Sequence, residues 1–317
     1  MAYTTAQRKK FFELVDKYAN ASIYNDEAKD LSRRIAQMAK SPQGLNELAQ
    51  LVTEDLEEEM KAYDIRPLLF GPVKQREIND RVEYRRKGRF RAYRIDRGGY
   101  VPKSQIFQDT VTVMPEQFAV RPSCQLDQLE SGRISAVQDL RNGARDALLT
   151  EYSNYYYETF DEIGKKEKTP ETYAEVTDAV DKQTLDAMLY TVSERGTPII
   201  VGTHQSLAPI LDFDGHTESM KDEIQRTGSL GMYRGARIVK LEQFTDADNL
   251  PVISNDKIFV MSEKIGHIDD FGKLRYREVV DGDHDELSIV IRREMGLTIL
   301  YPERFGMIQI TKPDVEG

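Results

Sequence analysis

The chain has 317 residues and a net charge of −10 at pH 7, which excludes a protein whose whole surface binds nucleic acid. It contains no run of about eighteen apolar residues and does not open with a charged stretch followed by an apolar one, so neither a membrane span nor a secretion signal is expected. Its one cysteine, Cys124, excludes an internal disulfide and a zinc ribbon, and indicates a reducing compartment.

Apolar residues at helical spacing predict helices near the amino terminus. The first has its apolar stripe from Phe11 to Tyr18, the second follows a cap at Asn25, and the third follows a cap at Ser41 with Pro42 in its first turn. Each is short and highly charged, with a narrow apolar stripe. We therefore expect these helices to pack on other parts of the protein and not to form a domain alone.

The segment from Arg81 to Lys103, called the basic arm below, carries nine basic and two acidic residues, a net charge of +7. Aromatic and basic residues mix at strand-like spacing before a turn at Gly98 and Gly99, which predicts an exposed β-hairpin. A hairpin so poor in aliphatic residues is not stable alone, so we expect it to lie on a partner. The basic residues expected to contact a neighbouring copy are Arg85, Arg86, Lys87, Arg89, Arg91, Arg94, Arg97 and Lys103.

A second segment has the opposite charge. From Asp246 to Glu286 there are eleven acidic and five basic residues, a net charge of −6. Opposite charges on one chain indicate either pairing within the chain or head-to-tail recognition between copies. The sequence leaves both alternatives open.

The clearest single element is a helix from about Gly132 to Ile163, in which apolar residues recur every three or four positions. Its predicted length is roughly 48 Å at 1.5 Å per residue. We interpret it as a spine on which other elements pack. Four tyrosines are interpreted as packing residues of this helix, namely Tyr152, Tyr155, Tyr156 and Tyr157.

The second half alternates helices and strands without a regular β-α-β repeat, which favours the α+β class. The segment from Gly228 to Leu241 predicts a turn, a strand, a glycine turn at Gly235 and a second strand. Helices are predicted at 181–194, 203–210 and 219–227, and strands at 198–201, 258–261, 265–268, 274–279, 287–293, 297–301 and 307–311.

The sequence shows no catalytic constellation. Cys124 has neither a histidine nor a nucleophile-elbow glycine beside it, and we interpret it as an ordinary packed or semi-exposed thiol. Two acidic loops, 212–218 and 281–285, are better explained as solvated turns than as cation sites. The glycines of 228–235 lack the lysine and Ser/Thr of a phosphate loop. We therefore predict that the protein is not an enzyme and has no catalytic, cofactor-binding or metal-ligating residues.

The order of these elements resembles that of the major capsid proteins of tailed bacteriophages, whose shell fold is shared with encapsulins and the herpesvirus capsid floor. The likeness covers about residues 85–312. Its most telling stretches are 228–244, which contains G-A-R-I-V-K-L, and 287–311, where R-R-E-x-G is followed by L-T-I-L-Y-P. Residues 1–80 match only in being helical and charged.

The resemblance implies an α+β tailed-phage major capsid fold in four parts. These are an N-terminal helical arm at 1–80, an extended β-hairpin loop at 81–120, a peripheral domain with a long spine helix at 121–170 and 286–317, and an axial α/β domain at 171–285. The extended loop would lie over an adjacent subunit.

The resemblance also implies self-assembly, as pentamers and hexamers, into an icosahedral phage head that encloses double-stranded DNA without sequence-specific binding. Assembly would take place in the host bacterial cytoplasm with a portal protein and a separate scaffolding protein, and without a cofactor or a membrane. Two alternatives stay open. One is an encapsulin-type shell that encloses an enzyme cargo, and the other is a nucleic-acid-binding protein that uses the basic arm.

Overall fold

A computed structural model of the chain describes residues 4–21, 25–87, 94, 108–166, 168–169, 171–245, 250–263, 265–282 and 284–311. The helices are α1 Thr5–Tyr18, α2 Asp26–Ala39, α3 Pro42–Ala62, α4 Arg66–Phe70, α5 Leu126–Glu130, α6 Ile134–Lys166, α7 Lys182–Ser193, α8 His204–Leu211 and α9 Glu218–Thr227. The strands are β1 Lys74–Arg76, β2 Glu83–Lys87, β3 Gln108–Thr112, β4 Glu116–Val120, β5 Ser123–Gln125, β6 Tyr173–Thr177, β7 Pro198–Thr203, β8 Met232–Tyr233, β9 Ala236–Leu241, β10 Lys257–Ser262, β11 Gly266–Asp281, β12 Glu286–Ile299 and β13 Phe305–Thr311.

The described strands form three sheets. One has five strands in the order β1-β11-β12-β4, with β5 also paired to β12, and another has six in the order β6-β13-β10-β7-β9-β8. The third, called the ribbon below, consists of β2 and β3 alone. This mixture of helices and sheets confirms the predicted α+β class. Within the described part of the chain, no helix is both long enough and apolar enough to span a bilayer.

The amino-terminal helices begin where the sequence predicts their caps. Asn25 accepts a hydrogen bond from the backbone N–H of Ala28 at 2.9 Å, and Ser41 accepts one from Gly44 at 3.1 Å. Their apolar stripes are buried in the main core of this same chain, where α1 and α3 pack on α6, and α3 also packs on β11. The three helices therefore form a layer over the rest of the subunit.

Helix α6 confirms the predicted spine and extends slightly beyond its predicted end. Leu148 and Phe160 are 1% and 0% exposed, so one face of the helix is core along much of its length. The tyrosines of α6 pack as predicted, because the ring of Tyr152 is buried and meets Phe118 edge-on at 5.1 Å.

The region 265–301 differs from the prediction. The sequence predicts four short strands there, whereas the structure has two long ones, β11 and β12, paired antiparallel as one hairpin. Two glycines lie in the gaps between the predicted strands. Gly272, with φ of +78°, lies at a bulge, and a Cβ on Gly296 would lie 2.4 Å from Cγ1 of Val113. Both glycines let other segments approach the hairpin closely.

The sheet pairings cut across the boundary predicted near residue 286. That boundary separates β11 from β12, which are neighbours in the five-stranded sheet. It also groups β13 with the spine helix, although β13 lies between β6 and β10 in the six-stranded sheet. The domain bounds stay a prediction, and the hydrogen bonding shows only that the hairpin β11–β12 continues across residue 286.

The six-stranded sheet has a core of its own. Helices α7 and α8 cover one face, and Leu185, Ile200 and Ile308 are buried between them and the strands. The predicted glycine turn joins β8 and β9, where Arg234 and Gly235 have φ of +46° and +82°. Two successive residues with positive φ are typical of the tight hairpin turns that favour glycine.

Candidate inter-subunit surface

The structure describes some of the predicted interface residues. Arg85, Arg86 and Lys87 lie on β2, and Arg94 is exposed. The rest of the set lies outside the described residues, namely Arg89, Arg91, Arg97, Lys103 and the turn glycines Gly98 and Gly99. The ribbon is therefore the described base of the basic arm.

The ribbon joins the rest of the subunit at a small apolar contact. Its strands pair with Tyr84 opposite Val111 and Arg85 opposite Thr110. Just beyond them, the side chains of Val82 and Val113 pack with Phe271 of the long hairpin. These three residues form a cluster separate from the two larger cores, so polar contacts must set much of the ribbon's position.

Alternation along β2 gives the ribbon two different faces. Tyr84 and Arg86 point to the body of the chain. The hydroxyl of Tyr84 donates to Oδ2 of Asp269 at 2.8 Å, and Arg86 forms an ion pair with Glu303 at 2.8 Å. Arg85, between them, is exposed and forms no ion pair with any described residue. Arg86, predicted to contact a neighbouring copy, is thus engaged within its own chain, whereas Arg85 faces away from it.

Two consecutive acids of the negatively charged segment are fully buried. Asp269 accepts from Nε of Arg76 at 2.9 Å as well as from Tyr84. Asp270 accepts from Arg66 and from Arg293, each at 2.5 Å. Part of the negative charge in this segment is therefore neutralised within the chain, which favours internal pairing for these two residues.

The buried arginine of this network is held in its charged form. Burial disfavours the charged guanidinium of Arg66, but hydrogen bonds from it to Asp64 and the nearby charge of Asp270 outweigh that effect and raise its pKa. Beside the ribbon, burial lowers the pKa of His267, assisted by the positive charges of Lys74 and Arg76. The imidazole ring of His267 packs on Tyr84 with ring centres 4.5 Å apart.

The residues considered for catalysis or metal binding have ordinary surroundings. Burial, together with the charge of Glu286, raises the pKa of Cys124 to about 12, which disfavours its thiolate form. His216 lies 2.9 Å from the carbonyl oxygen of Ile210, and His284 lies 3.0 Å from Asp281. Among the described residues, no three His, Cys, Asp or Glu side chains form a group that could hold a metal ion.

Comparison with known proteins identifies the family. The family described as SPbeta prophage-derived putative capsid protein YonB matches residues 3–309. The chain belongs to this family. Its predicted recognition as a phage capsid protein is therefore confirmed, and its place is the virion. No curated protein sequence matches the capsid protein.

Solved structures show the same fold. A chain of Gordonia phage Cozz has a TM-score of 0.56 at 12% identity, with 78% of the capsid protein and 86% of that chain covered. The mature capsid of bacteriophage PhiM1 has a TM-score of 0.51 at 12% identity, with coverage of 75% and 85%. A virus-like particle from Pyrococcus furiosus has a TM-score of 0.50 at 12% identity, with coverage of 82% and 98%.

Sequence reasoning missed the residues that orient the ribbon. The ribbon is oriented by contacts between residues far apart in the chain. Tyr84 and Asp269 are 185 positions apart, and Arg86 and Glu303 are 217 positions apart. One signal was available, because the two adjacent aspartates lie between the apolar residues Ile268 and Phe271, and a buried carboxylate is rarely tolerated without a cationic partner. The partners themselves, Arg76 and Arg66, carried no comparable signal.

Proposed function

We propose that this chain is the major capsid protein of a tailed phage, and that its copies assemble as pentamers and hexamers into an icosahedral head enclosing double-stranded DNA. The observation that carries the proposal is the capsid family's match over residues 3–309. The fold shared with phage capsids supports it. A portal protein, a separate scaffolding protein and assembly in the host cytoplasm complete the proposal.

The ribbon supports an assembly role for the basic arm. Its buried apolar contacts are few, and Arg85 on its outer face forms no ion pair with any described residue. An exposed arginine that forms no ion pair with the described residues is suited to steer the approach of an acidic neighbour. We assign the arm to contacts between subunits.

The sheets suggest the other parts of the subunit. We assign the five-stranded sheet, with α6 along it, to the peripheral part that sets the thickness of the wall. We assign the six-stranded sheet with α7, α8 and α9 to the axial part near the five- and six-fold axes. The amino-terminal helices form a layer on the peripheral part.

Electron microscopy of the expressed chain, with and without a co-expressed scaffolding protein, tests the proposal. We expect uniform closed shells in at least one condition, and sedimentation of most of the protein as particles. A folded monomer that assembles in neither condition would contradict the proposed function.

Charge reversal tests the arm. Replacing Arg89, Arg91 and Arg94 together by Glu should leave a folded, soluble subunit that fails to close shells. The matched control replaces Lys10, Arg34 and Lys40 by Glu, which changes the net charge equally on the exposed surface of the amino-terminal layer. Normal particles from the arm variant, or equal failure of both variants, would count against the arm as an assembly element.

The second candidate is an encapsulin-type compartment, favoured by the fold shared with the Pyrococcus furiosus particle. The contents of purified particles separate the two. Nuclease-protected double-stranded DNA of uniform length, in particles from a complete phage, supports the head. A stoichiometric enzyme cargo without DNA supports the compartment.

A further inference from the structure

Helix α6 contains two glycines with different surroundings. A Cβ on Gly164 would lie 2.6 Å from the sulfur of Met307, so close packing within the chain explains that glycine. A Cβ on Gly143 would meet no atom within 4 Å. Glycine destabilises a helix interior relative to alanine, and Gly143 lies well inside a helix of 33 residues. The described part of the chain therefore offers no steric reason for Gly143.

Gly143 lines an open groove of about 550 Å³ between α6 and the segment that links β4 to α5. Cys124, Ala136 and Leu140 contribute its apolar floor. Gly143 itself is exposed and has no side chain, so the helix backbone is accessible at this point of the groove. Glycine is favoured where another backbone or a long side chain must come close to a helix.

The rim of the groove is acidic on balance. Asp139 is exposed and pairs with no cation among the described residues, and Glu286 accepts a hydrogen bond from Gln125 at 3.0 Å. Arg121 is the basic residue of the groove's lining. Asp285, the residue before Glu286, lies beside the start of α5, where its backbone carbonyl oxygen accepts from the N–H of Leu126 at 2.7 Å.

We infer that the groove beside Gly143 is the receptor for the basic arm of a second copy, with arm side chains lying across Gly143 and its arginines facing Asp139 and Glu286. This inference rests on the proposed function, because it names the surface that the arm grips.

Three observations favour this occupant. The arm carries a net charge of +7 and is poor in aliphatic residues, which suits a groove with a small apolar floor and a carboxylate rim. Its long arginine and aromatic side chains can reach a helix backbone that Gly143 leaves uncovered. The arm of the same copy begins at the ribbon, whose base packs at Phe271 and Gly296, whereas the groove lies at the opposite end of β12, beside Glu286.

Filling the groove tests the inference. Gly143→Gln should give a folded subunit whose thermal midpoint is unchanged or raised, with at least a tenfold loss of closed shells. The matched control is Ala147→Gln, one turn further along the same exposed helix face and outside the groove, which should assemble normally. Normal assembly of Gly143→Gln, or equal loss for both variants, would overturn the inference.

Crosslinking tests the occupant directly. In a Cys124→Ser background, cysteines at Arg94 and Asp139 should be joined by a short bis-maleimide between chains in assembled shells, and not in unassembled subunits. A control pair places the second cysteine at Asp222, on α9, and should give no product. Shells without crosslinks, or with equal crosslinking in both pairs, would refute the arm as occupant. Absence of shells from the unmodified chain would instead contradict the proposed function, and the inference with it.

Discussion

The ribbon and the long hairpin β11–β12 are both antiparallel strand pairs, but their surroundings differ. In the long hairpin, Leu287, Ile289 and Ile291 are fully buried, and its neighbours β1 and β4 extend it into a sheet. In the ribbon, the buried side chains lie only at its base, among the residues that the structure describes. An isolated strand pair is marginally stable, so what covers its faces decides its role. The hairpin belongs to the core of the chain, whereas Arg85 on the ribbon's outer face is exposed.

The largest effect is expected on the buried face of α6. Leu148→Asp places a charge at a position that is 1% exposed and should cost more than about 4 kcal/mol, enough to prevent folding. Circular dichroism and thermal melting measure this. Ala147→Asp, on the exposed side of the same helix, is the control and should melt cooperatively. A soluble, cooperatively melting Leu148→Asp subunit would show that this face of α6 is not core.

The next effect concerns the buried charges of the hairpin. Asp270→Ala leaves Arg66 and Arg293 without their shared carboxylate and should reduce the free energy of unfolding by about 3–5 kcal/mol. Denaturant titration measures the loss. Asp222→Ala on exposed α9 should change stability by less than about 0.5 kcal/mol. Equal effects of the two substitutions would mean that the Asp270 network contributes nothing specific.

A buried charged residue can also destabilise the folded chain, and Asp55 in the amino-terminal helical layer is an example. Burial raises the pKa of Asp55 to about 6 from 3.8, and the charge of Glu59 adds to it, although Arg141 lies 3.2 Å away and opposes the shift. A carboxyl group with a raised pKa binds protons more tightly in the folded state, so its contribution to stability falls as pH rises from about 4 to 6.

Asp55→Asn should therefore be more stable than the unmodified chain at pH 8, by at most about 3 kcal/mol for the two-unit shift. The advantage should shrink towards zero at pH 4, where Asp55 is largely protonated in the folded state. Denaturant titrations of both proteins at pH 4, 6 and 8 supply the comparison. An advantage independent of pH would show that the effect does not come from ionisation of Asp55.

The difference between the two strand pairs also explains which parts of the fold were predictable from the sequence. The helical spacing of apolar residues and the capping residues predicted α1, α2, α3 and α6, because these signals are local in the sequence. The hairpin was predicted as four pieces, with Gly272 and Gly296 in two of the gaps, because the local sequence does not show that Ile78 and Val113 pack against these glycines. The short strands β1 and β4 were missed because their stability comes from pairing with β11 and β12, which no local pattern encodes.

The candidate surface was predictable in composition but not in orientation. The charge of the basic arm and its hairpin texture follow from residues near one another in the sequence. Which arginines face the body does not, because that depends on where Asp269 and Glu303 lie in space. The alternation of side chains along β2 could have placed Arg85 and Arg86 on opposite faces of the strand. It could not have predicted which of the two faces is exposed.

The smallest effect tests how the ribbon is oriented. Arg86 and Glu303 are about 40% exposed, and their ion pair should contribute only about 0.2–1 kcal/mol to the stability of the subunit. A double-mutant cycle of Arg86→Ala and Glu303→Ala, measured by denaturant titration, gives this coupling. The same variants should affect assembly more than folding, because loss of the pair frees the ribbon to change direction while Tyr84 still holds its base to Asp269. A coupling free energy above about 2 kcal/mol would show that the ribbon, like the long hairpin, is part of the subunit core. The two strand pairs would then differ only in how much of each is buried.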